Sequence, residues 1–135
     1  MSQKQTIMSF LKNMFGSNEE KQSLSKVGWR PLTDLGQLNE IIDLSTENPV
    51  LIFKHSTRCS ISRMVLKQFE NEFDLKDKVI PYYIDLLEFR NVSNEIASRF
   101  GVTHQSPQII LVKDGKAVYN ASHEGIDNSK LAQFV

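Results

Sequence analysis

What constrains this chain most is the order in which two kinds of apolar pattern follow one another. Residues 50–53 (VLIF) after Pro49, 79–84 (VIPYYI) and 108–113 (QIILVK) are short apolar runs that read as strands, with Pro81 marking an edge or a local irregularity in the second. Around them lie stripes at helical spacing. Leu35, Leu38, Ile41, Ile42 and Leu44 follow an N-cap at Thr33, and Ile61, Met64, Val65, Leu66, Phe69 and Phe73 run on from Ser60. Val92, Ile96 and Phe100 make a third stripe, closed by Gly101 at the C′ position. Asp114-Gly115 joins QIILVK to 116–119 (KAVY) as a two-residue hairpin, and a short helix from Asp127 to Phe134 puts Leu131 and Phe134 on one face. This order predicts an α/β fold, a central mixed sheet with right-handed crossovers laying helices on both faces.

The chain has 135 residues, enough for one domain with a real core and no disulfide or metal staples. That domain is expected over 27–135. Ahead of it, Ile7, Phe10, Leu11, Met14 and Phe15 share one face of a short helix, and 16–26 (GSNEEKQSLSK) reads as a polar linker. Lys12 and Asn13 interrupt the apolar residues there, so neither a signal peptide nor a membrane span is expected. Sixteen basic residues balance sixteen acidic ones without a basic stripe, which argues against nucleic-acid binding. The three histidines and one cysteine show no metal-ligand spacing.

Cys59 is the only cysteine, so no internal disulfide can form and the expected compartment is the cytoplasm. It falls between the strand VLIF and the helix that starts at Ser60, the place where α/β sheets gather ligands. A thiolate there meets the unpaired N–H groups and positive end of the helix, with Arg58 adding a cation, conditions that lower a cysteine pKa. Attack gains little from such a shift, because nucleophilicity falls with basicity, whereas departure of the sulfur from a mixed disulfide gains clearly. The pattern fits a cysteine that is repeatedly loaded and unloaded. The alternative is an inert, buried thiol, which the polar neighbours Ser56, Thr57, Arg58, Ser60 and Ser62 disfavour.

Cys59-Ser60-Ile61-Ser62 has the C-x-x-S spacing, which puts the Ser62 hydroxyl within a turn of the sulfur as a possible hydrogen-bond donor. Ser106-Pro107, immediately before QIILVK, is a plausible cis site. Taken together, FKHSTRCSISRMVL (53–66), HQSPQIILVKDGK (104–116) and Trp29 resemble the YtxJ-type monothiol bacilliredoxins, a branch of the thioredoxin-like proteins, over roughly 28–135. The resemblance implies a thioredoxin-like fold and removal of bacillithiol, a low-molecular-weight thiol, from cysteines of S-thiolated client proteins. It assigns Cys59 as the redox cysteine, Ser62 as the serine after it and Pro107 as the cis-proline. Family members commonly read C-P-I-S. Here Ser60 replaces that proline and restores an N–H donor beside the sulfur.

The mechanism so implied needs no tightly bound cofactor, only bacillithiol or another small thiol as co-substrate. Thr57 and Arg58 are expected to contact the polar groups of the incoming disulfide, and the backbone of Ser106 and Pro107 to hold it extended. His55, four residues before Cys59, reads as a packed or solvated histidine rather than a general base. Two rival readings are a thioredoxin-like adaptor in which Cys59 is incidental, and a thiol peroxidase or redox sensor.

Overall fold

Residues 26–135 are described in a computed structural model. The expected helix over 7–15 and the linker up to residue 25 lie outside them. The elements are β1 (Arg30–Pro31), α1 (Gly36–Leu44), β2 (Val50–His55), α2 (Ser60–Glu72), β3 (Ile80–Asp85), α3 (Arg90–Phe100), β4 (Gln108–Lys113), β5 (Lys116–Ser122), a 3-10 turn (His123–Gly125) and α4 (Asn128–Leu131). The strands form one sheet in the order β1-β3-β2-β4-β5. β3 runs parallel to β1 and β2, while β4 is antiparallel to β2 and β5. The expected mixed sheet flanked by helices is therefore the fold observed.

β2 lies at the middle of the sheet, and every residue in it is buried. Side chains alternate between faces along a strand, so a run apolar at every position needs cover on both. Val50 and Ile52 enter a core with Leu38 and Ile41 of α1 and Val92, Ile96 and Phe100 of α3. Leu51 and Phe53 enter the opposite core with Phe69 of α2, Phe73 at its C-cap and Leu131 of α4. In that second core Trp29 packs its ring against Phe53 at 5.7 Å and Phe69 at 6.1 Å, and its indole N–H donates to Glu70 Oε2 at 2.6 Å.

Several expectations change in detail. Thr33 is not the N-cap of α1. Gln37 reaches back instead, its Oε1 accepting from the N–H groups of Thr33 at 2.7 Å and Asp34 at 3.0 Å. β3 is an internal strand rather than an edge, yet Pro81 costs it no ladder bond. Ile80 N–H faces β2, donating to the Pro49 carbonyl, so alternation turns position 81 toward β1, whose pairing begins only at Tyr82. Ile61 and Met64, expected in the buried stripe of α2, are 60% and 70% exposed. The buried face runs instead through Ser62, Val65, Leu66, Phe69 and Phe73, and a hydroxyl occupies the slot nearest the start of the helix. Helical order at the C-terminus stops at Leu131, with Phe134 stacked on Tyr119 at 4.4 Å.

Two turns follow the sequence closely. Asp114 and Gly115 both have positive φ, 52° and 74°, as a two-residue hairpin of this kind requires. Gly101 ends α3 at φ 65° and donates its N–H to the Ala97 carbonyl.

Candidate active site

β2 ends at His55, and the chain turns through Ser56, Thr57 and Arg58 before α2 begins. Cys59 N–H closes this turn on the Ser56 carbonyl at 3.1 Å, and the Cys59 carbonyl accepts from Arg63 N–H at 3.0 Å. Cys59 is thus the N-cap of α2, in extended backbone (φ −102°, ψ 121°), half-buried and with a free thiol. Its side chain makes no cap bond, and the residue stands at the donor end of a 13-residue helix.

Strand register brings the other predicted residues to the same end of the sheet. His55 pairs with Asp85 on β3, and Lys54 with Gln108 on β4, so Pro107 enters the sheet beside the point where the cysteine turn leaves it. The Ser106–Pro107 bond is cis. The Pro107 carbonyl accepts from His123 N–H at 3.0 Å, tying this loop to the turn after β5. Gln108 holds the preceding loop through Thr103 O at 3.0 Å and Gln105 N–H at 3.3 Å.

The remaining predicted residues have distinct settings. Thr57 is exposed, and its hydroxyl donates to the Asp85 carboxylate at 3.3 Å while its carbonyl accepts from Arg63 Nη1 at 3.1 Å. Arg58 and Ser60 are exposed. Ser62 is fully buried. Its Oγ accepts from Ser56 N–H at 3.1 Å and lies 2.7 Å from His55 Nδ1, so it bonds the end of β2 and the turn after it, not the Cys59 sulfur that the C-x-x-S spacing offered. Ile61, Val65 and Phe69 of α2 line a groove of about 530 Å³ together with His123, Ile126 and Asp127.

Residues 30–131 match the family described as Monothiol bacilliredoxin BrxC. The chain belongs to this family. Among solved structures, one described as having a thioredoxin fold is 32% identical to this bacilliredoxin at a TM-score of 0.65, with 76% of this chain and 89% of that one covered. Thioredoxin from Malassezia sympodialis (20% identity, TM-score 0.62, 82% and 90% covered) and thioredoxin f from spinach chloroplast (16%, 0.60, 86% and 89%) share the fold. The bacilliredoxin fold is thioredoxin-like, and family and fold together point to thiol redox chemistry. No helix among the described residues is long and apolar enough to cross a membrane. Nor does any group of three or more His, Cys, Asp or Glu among them stand ready to hold a metal ion.

Sequence reasoning missed three polar groups of this bacilliredoxin site: Lys54, His104 and Asp85. Asp85 ties two loops together, accepting from Thr57 and from Leu87 N–H at 3.1 Å. Lys54 continues the parity of Val50 and Ile52 and is fully buried on the α3 side. Its ammonium donates to Ser93 O and His104 Nδ1, both at 3.1 Å. The available signal was KH closing an otherwise apolar central strand, since alternation must bury one of that pair on each face.

Burial lowers the Lys54 pKa from 10.5 to about 8. Between these values the unfolded lysine keeps its proton while the folded one gives it up, so stability rises with pH across the window. Tyr83, raised to about 12 mainly by burial, opposes this above pH 10. Denaturant midpoints measured from pH 8 to 10 are therefore expected to climb in the wild type. The climb should flatten in Lys54→Met, and an equal slope in both proteins would show that Lys54 is not the group responsible.

Proposed function

We propose that this protein is a cytoplasmic thiol–disulfide oxidoreductase that removes bacillithiol from S-bacillithiolated proteins through Cys59. The observation that supports this best is Cys59 itself, the only cysteine of the chain, held as the N-cap of α2 in a member of the monothiol bacilliredoxin family. In the first step the Cys59 thiolate attacks the bacillithiol-side sulfur of the client mixed disulfide. The client leaves as a thiolate and Cys59–S–S–bacillithiol forms. In the second, a bacillithiol thiolate attacks the bacillithiol sulfur of that adduct, releasing the Cys59 thiolate and bacillithiol disulfide. One free bacillithiol is consumed per client and the disulfide is conserved, passing from the client to Cys59 and then to bacillithiol disulfide, so no second protein cysteine takes part. Arg58 pairs with the bacillithiol carboxylate. Thr57, Ser60 and the Ser106–Pro107 backbone shape the pocket for the incoming sulfur, and Ser62 acts from beneath it.

The test is to mix the protein with a stoichiometric S-bacillithiolated client and follow both by intact-mass spectrometry. The expected result is loss of the bacillithiol mass from the client and its gain on Cys59, then release when free bacillithiol is added. A client that stays loaded while Cys59 remains unmodified would replace this reading with that of an adaptor. Oxidation of Cys59 by peroxide without any transfer would replace it with that of a sensor.

A further inference from the structure

Ser62 and His55 form a buried pair directly under the cysteine turn. Ser62 is the third residue of α2, three positions on from the N-cap Cys59, a spacing at which helical residues are neighbours. Its hydroxyl is 0% exposed and His55 is 3% exposed, and their polar atoms are 2.7 Å apart. Because Ser62 Oγ already accepts from Ser56 N–H, the one proton of the hydroxyl has a choice set by the histidine. When Nδ1 is bare it accepts that proton. When Nδ1 carries its own hydrogen, it donates to Oγ, and the hydroxyl proton turns away toward the start of the helix, where Cys59 lies.

We propose that His55 is a positioning residue for thiol–disulfide exchange, directing the Ser62 hydroxyl toward the Cys59 sulfur when Nδ1 is protonated and away from it when Nδ1 is bare. The proposal rests on Cys59 being the redox cysteine. The charged groups around the ring work in both directions. Burial and Arg63 of α2 disfavour the imidazolium, whereas Asp85 at the end of β3 favours it, and the net effect lowers the pKa of His55. The Tyr83 ring, 5.7 Å away, closes the remaining side. A thiolate on Cys59 would add a second negative group one helical turn from Ser62. Coupling of this kind is reciprocal, so blocking the sulfur must shift the histidine by as much as the histidine shifts the sulfur.

The test uses iodoacetamide and ring NMR, with no bacillithiol, so its failure is separate from failure of the transfer reaction. Cys59 alkylation is measured from pH 5 to 9 in the wild type, His55→Asn and Ser62→Ala, each shown to be folded by circular dichroism. Asn keeps a polar group at the Nδ1 position but cannot titrate. In the wild type the rate profile is expected to carry an acid-side shoulder coincident with the His55 titration. There the rate exceeds the single-ionisation curve by about threefold or more, a modest effect for a hydrogen bond to a charged group. Both variants should lose the shoulder, and S-methylthiolation of wild-type Cys59 should lower the His55 midpoint. A wild-type profile fitted by one ionisation, or a shoulder that survives in Ser62→Ala, would overturn the proposal.

Discussion

Cys59→Ser is expected to reduce release of bacillithiol from a loaded client to the uncatalysed background. A serine hydroxyl with no adjacent base is a far weaker nucleophile than a thiolate, and no other thiol exists in the chain to take its place. The fold should scarcely notice. Cys59 is only half-buried and makes no cap bond, so its denaturation midpoint should move by no more than the equivalent of about 0.5 kcal/mol. The check is a single-turnover assay with matched concentrations of wild type and variant. A folded Cys59→Ser protein that still unloads the client would mean that the chemistry belongs to another group.

The largest loss of stability should come from Phe53→Ala. Phe53 is fully buried on the central strand and meets the Trp29 ring at 5.7 Å and the Phe69 ring at 5.5 Å. Truncating such a side chain removes its transfer free energy and leaves a cavity that a sheet paired on both sides cannot close, a cost of about 3–5 kcal/mol. Against a total stability of about 5–15 kcal/mol this is a large share. Urea unfolding should show it as a lower midpoint with an unchanged slope. Met64→Ala, at a side chain 70% exposed, should stay within about 0.5 kcal/mol and serves as the control.

The contrast between those two positions shows what the sequence can and cannot tell. The run VLIF is legible because both parities are apolar, which leaves a strand no place except the middle of the sheet. Asp114-Gly115 and Gly101 are legible because few residue pairs accept their backbone angles. The helical stripe from Ile61 to Phe73 is legible only up to a rotation. Spacing says which side chains share a face, but the direction of that face is set by what meets it, and at Ser62 the partner is His55. Cys59 and Pro107 stand out through motif and resemblance. Lys54 does not, because Ser93 and His104, which receive its ammonium, come from 39 and 50 residues away. The two-residue strand β1 carries no pattern at all, and its place beside β3 depends on pairing alone.

Trp29 is the single tryptophan of the chain, and it lies wholly on the α2 side of the sheet, between Phe53, Phe69 and Tyr83. The protein therefore carries one indole, and its emission, excited selectively over that of the three tyrosines, is a local gauge. It reports the docking of α2 and β1 onto the sheet and is blind to the layer formed by α1 and α3. Fluorescence consequently watches one layer, while far-ultraviolet dichroism sums over the helices and strands of both. Coincident unfolding curves from the two would be direct evidence that the layer holding Cys59 and the layer holding Lys54 come apart as a single cooperative unit.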